Sequence, residues 1–253
     1  MLYIKKNPAP PNVLREIAKL KGSPEWRDLS DDDTEGIRNA FDKLTKDIIR
    51  VPLLEDQHYL CAYCMRRIRN DSDTSIEHFK PLSKGKENAL DYNNFLVVCD
   101  GGENSSNCGS HRVLCCDARK SDTELNYINP MDEACMSLIT YTRQGLIGYK
   151  YPKGWSREQK EAVDDDLNKT LQLNGDVSKG KQPPRDTASR LIKNRKDAYN
   201  EYNRIVTRWD SSGRLTISLI EKTVQQLLKN PEREEYVGVI VYFLQRKARQ
   251  LRH

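Results

Sequence analysis

The chain has 253 residues, of which 31% are charged and 37% hydrophobic, so it can bury a core although it is polar for a globular protein. No apolar run approaches the roughly 20 residues that span a bilayer, and the first residues lack the apolar stretch of a secretory signal. Seven cysteines, an odd number, argue against a secreted disulfide framework. We therefore expect a cytoplasmic protein without a membrane partner.

Residues 1–55 predict an N-terminal helical segment. The Asp31–Thr34 run favours the start of a helix, because acidic and hydroxyl side chains accept hydrogen bonds from free N–H groups. Apolar residues recur at helical spacing from Ile37 to Ile48. Pro52 is expected to end that helix or to start the next turn.

Residues 56–125 predict a compact core with the order strand, loop, strand, helix. The stretch Ser75–Phe79 favours a short strand, and Phe95–Val98 a second one. The Gly-, Asn- and Ser-rich residues 100–110 are typical of a loop, and a short helix is expected from Asp117 onward.

The remaining chain predicts a β-hairpin and connecting segment (126–174), a Gly- and Pro-rich linker (175–187) and a C-terminal helical region (188–253). Within the last region, Tyr236–Leu244 is apolar on all sides, so it is expected to be buried in this protein or in a partner. The fold class is therefore α+β, a mostly helical chain around a small core.

Basic charge is concentrated near the C-terminus. From Arg185 to His253 there are 15 Lys and Arg against 8 Asp and Glu, a net charge of +7, while residues 1–184 sum to −2. This distribution fits a polyanion partner, and it fits an ordinary solvated helical surface equally well.

Six of the seven cysteines fall within 56 residues, which in a chain without a leader points first to a metal site. Structural zinc takes four tetrahedral ligands, usually as two pairs, and such a site would hold the strands in place. The alternatives are buried cysteines that act as small hydrophobic residues, and a redox pair, for which the surrounding pattern is not thioredoxin-like. Our choice of ligands is Cys61, Cys64, Cys99 and Cys116, with Cys108, Cys115 and His111 as competitors for the last position, and Cys135 is expected in the core.

The pair Glu77-His78 carries the chemistry expected of a phosphodiester hydrolase. Such a reaction needs a base for water and a cation for the scissile phosphate, roles that His78 and a Glu77-bound Mg²⁺ would fill. Asp117 would supply a second oxygen ligand. Because neighbouring residues of a strand point to opposite sides, both side chains reach one site only at an irregular strand end. A lone histidine is more often structural than catalytic.

Four motifs together resemble the HNH endonuclease family, which has a ββα-metal fold: Cys61-x-x-Cys64, Glu77-His78-x-x-Pro81, Asn94 with Cys99, and Cys116-Asp117-x-x-Lys120. The resemblance implies that Glu77 and Asp117 bind a catalytic Mg²⁺ (or Mn²⁺) and that His78 is the general base. It also implies that Asn94 constrains the loop and supports the base. Two features depart from the family pattern: the metal ligands are Glu and Asp, and 16 residues separate the second pair of cysteines.

A narrower resemblance is to PtuB-type HNH proteins of Septu and retron-associated anti-phage systems. It rests on Ile4-Lys5-Lys6, Val98–Gly102, Cys116-Asp117 and Leu171–Asn174. It implies a PtuA-like ATPase partner bound to the C-terminal helices, with or without a retron, and a nuclease held in check until infection.

The alternative from another class is a zinc-stabilised nucleic-acid-binding or adaptor module with an inactive HNH site. For either function DNA is a more frequent target of such sites than RNA. Residues 56–125 contain 9 basic and 11 acidic residues, so this core binds a polyanion poorly. Substrate binding is therefore expected to come from the C-terminal third of the chain or from a partner.

Overall fold

The computed structural model describes residues 1–105, 112–177, 180 and 184–252. The first half contains α1 (Pro11–Lys21), α2 (Pro24–Arg27), α3 (Thr34–Asp42), α4 (Lys46–Asp56), β1 (Thr74–His78), α5 (Lys86–Ala89), β2 (Phe95–Cys99) and α6 (Cys116–Lys120). The second half contains α7 (Glu133–Ser137), β3 (Ile139–Tyr141), β4 (Ile147–Tyr149), α8 (Arg157–Asp165), α9 (Leu191–Ser211), α10 (Ile217–Lys229) and α11 (Val237–Leu251). The described part is thus an α+β fold with two small antiparallel sheets, as expected.

The N-terminal helices differ from the single long helix that the apolar spacing predicted. Asp33 caps α3 by accepting a hydrogen bond from the backbone N–H of Gly36, but α3 ends at Asp42. The backbone and hydroxyl of Thr45 both donate to Glu16 of α1, at 3.1 and 2.8 Å, and α4 then begins at Lys46. A contact from a distant element therefore breaks the helix where local periodicity continues.

Pro52 was expected at a helix boundary, and it lies inside α4. A proline there removes one helical hydrogen bond. The next two residues, Leu53 and Leu54, are each only 1% exposed. Their burial offsets the lost bond, because each large apolar side chain contributes about 2 kcal/mol when removed from water.

The strands β1 and β2 pair in antiparallel register, with Ile76 opposite Val97 and His78 opposite Phe95. The Gln57 side chain bonds to both the N–H and the carbonyl of Val97, each at 2.7 Å, and so takes the place of a third strand at this point of β2. Helix α6 packs against β2. The predicted order of strand, strand and helix is confirmed in the described residues.

The predicted hairpin is present, with Thr140 of β3 opposite Gly148 of β4. Its turn contains Gly145 at φ +89°, where a Cβ atom would lie 2.2 Å from the carbonyl oxygen of Ile192. Glycine is therefore required for the turn to approach α9. The fully buried guanidinium of Arg195 donates to the Gly145 carbonyl at 2.7 Å and fastens the hairpin to α9.

The segment 175–187, predicted as a linker, has its described ends joined by a bridge between Asp176 and Arg185. Asp186 then accepts hydrogen bonds from the backbone of Ile192 and Lys193, both at 2.9 Å, at the start of α9. Within 175–187 the residues 178–179 and 181–183 lie outside the described ranges. The division of the chain into domains remains a prediction.

Helix α11 packs against both α9 and α10. Its first half is buried almost all round, including Val237, Val239 and Leu244, which are 0% exposed. The apolar segment predicted from Tyr236 to Leu244 is therefore buried within this protein.

Buried apolar side chains from the N-terminus to Ala248 form one hydrophobic cluster, which includes both strands β1 and β2 and the cysteines beside them. Among the described residues, none of the helices combines the length and the apolar character that crossing a membrane requires.

Candidate metal centre and the adjoining carboxylates

Four cysteines come together at the end of β2. The Sγ atoms of Cys61, Cys64, Cys99 and Cys116 all lie within 4.8 Å of one another, and all four residues are buried. The Cys61–Cys116 and Cys64–Cys99 sulfur distances are 3.9 and 3.7 Å. Zn–S bonds of about 2.3 Å in a tetrahedron require sulfur–sulfur edges of about 3.8 Å. The cluster therefore has the donors, the size and the shape of a four-cysteine zinc site.

Three separate elements supply these ligands. Cys61 and Cys64 lie in a tight turn in which the N–H of Met65 donates to the Cys61 carbonyl and the N–H of Arg66 to the Cys64 sulfur. Cys99 ends β2. Cys116 begins α6 at φ +54°. A bound ion would thus join the turn, the strand and the helix.

Cys115, a competitor for the fourth position, lies beside Cys116 but outside the group of four sulfurs. Its Sγ contacts the Gly101 carbonyl at 3.4 Å and the Ser189 hydroxyl at 3.9 Å. Cys108 and His111 lie outside the described residues. Cys135, expected in the core, is buried and contacts the Tyr127 carbonyl at 3.2 Å.

Without a cation the cysteines cannot all be thiolates. Burial alone would raise the pKa of Cys61, but hydrogen bonds from Cys116, Cys64 and Cys99 lower it well below the ordinary value. A hydrogen bond with Cys115, followed by those with Cys61, Cys64 and Cys99, raises the pKa of Cys116 well above the ordinary value. The pKa values of Cys64, Cys99 and Cys116 are all raised, which favours protonated thiols, and a divalent ion would allow all four cysteines to ionise.

Glu77 lies next to this centre and is only 6% exposed. Its Oε1 accepts from Lys120 Nζ at 2.7 Å and from the Tyr63 hydroxyl at 3.2 Å. Tyr63 belongs to the same turn as Cys61 and Cys64, so the cysteine cluster fixes one wall of the Glu77 site. Lys120 is itself buried and lies on α6.

Asp117 follows Cys116 directly and is half-buried. The pKa of Glu77 is raised to about 8, mainly by burial and then by the charge of Asp117 and a hydrogen bond with it, while Lys120 opposes the shift. Two adjacent carboxylates repel each other, and a hard divalent cation relieves that repulsion. Mg²⁺ is commonly held by one or two carboxylates with water in the other positions, so Glu77 and Asp117 suit it.

His78 points away from these carboxylates. Its ring packs between Phe41 and Phe95, with centroid distances of 4.5 and 5.1 Å. Among the described residues, the four cysteines are the only group in which three or more His, Cys, Asp or Glu ligand atoms lie within 4.8 Å. The structure therefore brings Glu77 and Asp117 together but does not bring His78 to them, as the alternation of a regular strand dictates.

The protonation of His78 follows from its contacts. Its Nε2 lies 3.1 Å from the Ala89 carbonyl, which can only accept, so Nε2 carries the hydrogen and Nδ1 carries the lone pair. Burial lowers the pKa of His78 to about 4, although the bond to Ala89 opposes the shift. At neutral pH the imidazole is uncharged and has a low proton affinity.

Asn94 braces the loop that follows His78. Its side chain accepts from the N–H of Lys80 at 2.7 Å and donates to the carbonyls of Lys80 and Asn88, each at 3.0 Å. Asn88 precedes Ala89, the residue that binds the His78 ring. Asn94 therefore acts on the histidine through the backbone rather than by direct contact.

Sequence reasoning did not assign roles to Lys120, Tyr63 or Gln57. Lys120 follows Asp117 by three residues on a helix, which places both on one face, and this spacing is the signal that points to it. No local signal marks Tyr63 or Gln57, because their partners lie 14 and 40 residues away in the chain.

Comparison with known proteins adds one observation. No family model matches the chain. It is 36% identical over 98 residues to an Escherichia coli protein named "Retron Ec83 putative HNH endonuclease". The match covers 36% of this chain and 38% of that protein. The chain is thus similar, over about a third of its length, to a protein named as an endonuclease.

Proposed function

We propose that the protein is a metal-dependent HNH endonuclease that hydrolyses phosphodiester bonds of nucleic acid, DNA more readily than RNA. One observation carries the proposal: the turn of α6 that completes the cysteine cluster with Cys116 also sets Asp117 against Glu77. The similarity to the Escherichia coli protein supports the same conclusion.

In this proposal the two metal sites have different tasks. Zinc in the cysteine cluster holds β2, α6 and the Cys61–Cys64 turn in place. A Mg²⁺ or Mn²⁺ ion at Glu77 and Asp117 would polarise the scissile phosphate. Tyr63 and Lys120 orient the Glu77 carboxylate, and Lys120 offsets its charge.

His78 is proposed as the general base, acting through Nδ1, and Asn94 as the residue that supports it. The imidazole is neutral, as a base must be, and the bond to Ala89 fixes its tautomer. The role further requires that the attacking water reach Nδ1 beside Phe41 and Phe95.

The burial of His78, which is 8% exposed, favours a second candidate: a zinc-stabilised nucleic-acid-binding or adaptor module with an inactive site. The two candidates differ in one respect, which is whether the zinc-loaded chain cleaves.

The proposal extends to the biological setting. Resemblance to PtuB-type proteins supports a cytoplasmic effector of anti-phage defence with a PtuA-like ATPase partner, with or without a retron. The word retron in the name of the Escherichia coli relative agrees with such a setting.

The test is cleavage of DNA and RNA by the purified chain, alone and with its co-purifying partner, in Mg²⁺ or Mn²⁺. His78→Ala should abolish cleavage while zinc content stays unchanged. His58→Ala is the matched control, because the His58 ring forms its hydrogen bond with the carbonyl of Asn230, which is not one of the proposed site residues. Cleavage that persists in zinc-loaded His78→Ala would show that His78 is not the base.

A further inference from the structure

An aromatic cluster lies outside the proposed metal sites. The ring of Trp155 is 5.2 Å from Tyr127, 5.9 Å from Tyr149 and 6.5 Å from Tyr151, centroid to centroid. Tyr127 is 37% exposed, and the other three rings are half-buried. Four large rings thus form one group that solvent reaches, where a core would bury them.

Two of the four rings, Tyr149 and Tyr151, are held in place by their hydroxyl groups. The Tyr151 hydroxyl donates to Asp164 of α8 at 2.6 Å, and the Tyr149 hydroxyl contacts the Cys135 sulfur at 3.8 Å. These anchors fix the rings before any ligand binds, which lowers the entropic cost of stacking against them.

Basic residues alternate with the rings in the sequence. Residues 149–157 contain three aromatic residues, the basic residues Lys150, Lys153 and Arg157, and no Asp or Glu. Lys153 is exposed between Tyr151 and Trp155, and within the described ranges it forms no ion pair. Next to it Gly154 has φ +85° and open space around it. The loop therefore presents rings and positive charge together.

The cluster is joined to the helix that carries Asp117. The Asp166 carboxylate accepts from the backbone N–H groups of Asn126, Tyr127 and Ile128 at 2.8–3.0 Å. Asp166 begins a π-helical turn that packs on α6, where Arg119 Nε donates to the Lys169 carbonyl at 3.1 Å. Tyr127 is thus positioned by the turn that also supports α6.

We propose that Tyr127, Tyr149, Tyr151 and Trp155, with Lys153, form a stacking surface for the bases of single-stranded nucleic acid. Every base has a π face, and proteins that bind single strands combine aromatic platforms with positive charge along the backbone. Bases inside a duplex are already stacked on one another, so this surface selects unpaired strands. The inference rests on the proposed function in one respect, namely that nucleic acid is the substrate.

The test measures binding separately from cleavage, by fluorescence anisotropy of a labelled single-stranded oligonucleotide with the zinc-loaded full chain and no added Mg²⁺. Trp155→Leu should weaken binding about tenfold, the lower range measured for loss of one stacked base. Trp155→Phe, which keeps a ring, should retain most of the affinity. Lys153→Gln should lower the salt dependence by about one released ion.

Trp26→Leu, in α2 of the N-terminal segment, is the matched control and should change the affinity less than about twofold. A packing role alone would lower the melting temperature of Trp155→Leu while leaving binding intact, and that result overturns the inference. So does an equal loss in Trp155→Leu and Trp26→Leu, or duplex DNA binding that falls as far as single-strand binding. His78→Ala should bind normally, so failure of binding and failure of cleavage are told apart.

Discussion

Glu77 is the residue on which the candidate active site depends. Its side chain contacts Tyr63 of the Cys61–Cys64 turn and Lys120 of α6, and it lies beside the carboxylate of Asp117. The resemblance to HNH endonucleases implied that Glu77 and Asp117 share one site. It did not predict the buried ammonium group, since a lysine at 0% side-chain exposure contradicts the ordinary preference of that residue for solvent.

Above about pH 8, where Glu77 is ionised, replacement of Lys120 by Met should destabilise the zinc-loaded protein by about 3 kcal/mol, because one partner of a buried ion pair is left without the other. Lys84→Met is the control: Lys84 and Glu124 are both exposed and 3.9 Å apart, so the cost should stay below about 1 kcal/mol. Urea denaturation measures both. The double variant Lys120→Met/Glu77→Gln should recover most of the loss, and equal costs for the two single variants would show that the buried pair has no special weight.

The pKa of Glu77 predicts how the Mg²⁺ requirement changes with pH. A carboxyl group raised to about 8 must lose its proton before it can bind the ion, so Mg²⁺ affinity should rise with pH up to about 8. Below that value the concentration for half-maximal cleavage should increase about tenfold per pH unit. His78, with its pKa lowered to about 4, does not titrate in this range. A half-saturating concentration that is constant between about pH 6 and pH 8 would contradict the assignment of Glu77.

At the scale of elements, the cysteine cluster joins a turn, a strand and a short helix that come from distant parts of the chain. Helix α6 has five residues and could not persist alone, since isolated helices of fewer than about 12 residues are marginal in water. Zinc binding of this kind contributes on the order of 10 kcal/mol to folding. We therefore expect the position of α6 relative to β2 to depend on a bound metal ion.

Cys116→Ser should reduce bound zinc well below one ion per chain and lower the melting temperature, because a hydroxyl replaces a thiolate ligand. Cys115→Ser changes the adjacent residue in the same way and should keep the zinc, since its sulfur faces the Gly101 carbonyl. Metal analysis and thermal denaturation of both variants provide the comparison. If only Cys115→Ser lost its zinc, the fourth ligand would be Cys115 and not Cys116.

The elements also show where sequence reasoning ends. Strands β1 and β2, the hairpin and the buried segment in α11 follow from local apolar patterns, and the structure contains them. The break before α4 does not, because it depends on Glu16 of another helix. The direction of the His78 ring could not be predicted from local patterns either. Strand alternation shows that Glu77 and His78 point to opposite sides, and the packing against Phe41 and Phe95 shows where the ring lies.

At the scale of the whole molecule, the excess of basic residues lies in a different part of the sequence from the candidate active-site residues. The core at residues 56–125 has two more acidic than basic residues, whereas the chain after Arg185 carries a net charge of +7. Helices α9 and α11 carry much of this basic charge and pack against each other. Substrate binding is therefore expected to rely on surfaces away from Glu77, or on a second protein.

The isolated chain should accordingly cleave slowly, and its rate should fall as salt rises, because phosphate contacts that release counterions supply most of the affinity. Addition of the co-purifying partner should increase the rate. Initial rates over a salt series, with and without the partner, measure both effects. A fast nuclease that works alone and is insensitive to salt would show that the core needs no such help.

The proposed site of a catalytic divalent ion is formed by Glu77 and Asp117, beside the cysteine cluster. The test is Mg²⁺-dependent cleavage by Asp117→Asn, with the zinc content measured in the same sample. The control is Asp122→Asn, because Asp122 is an exposed carboxylate on the same stretch. We predict full zinc content in both variants, near-normal cleavage by Asp122→Asn, and a loss of at least about a hundredfold in Asp117→Asn, because a metal ligand supports several kcal/mol of transition-state stabilisation. Cleavage by zinc-loaded Asp117→Asn at the rate of the unchanged protein would show that Asp117 is not a ligand of the catalytic ion.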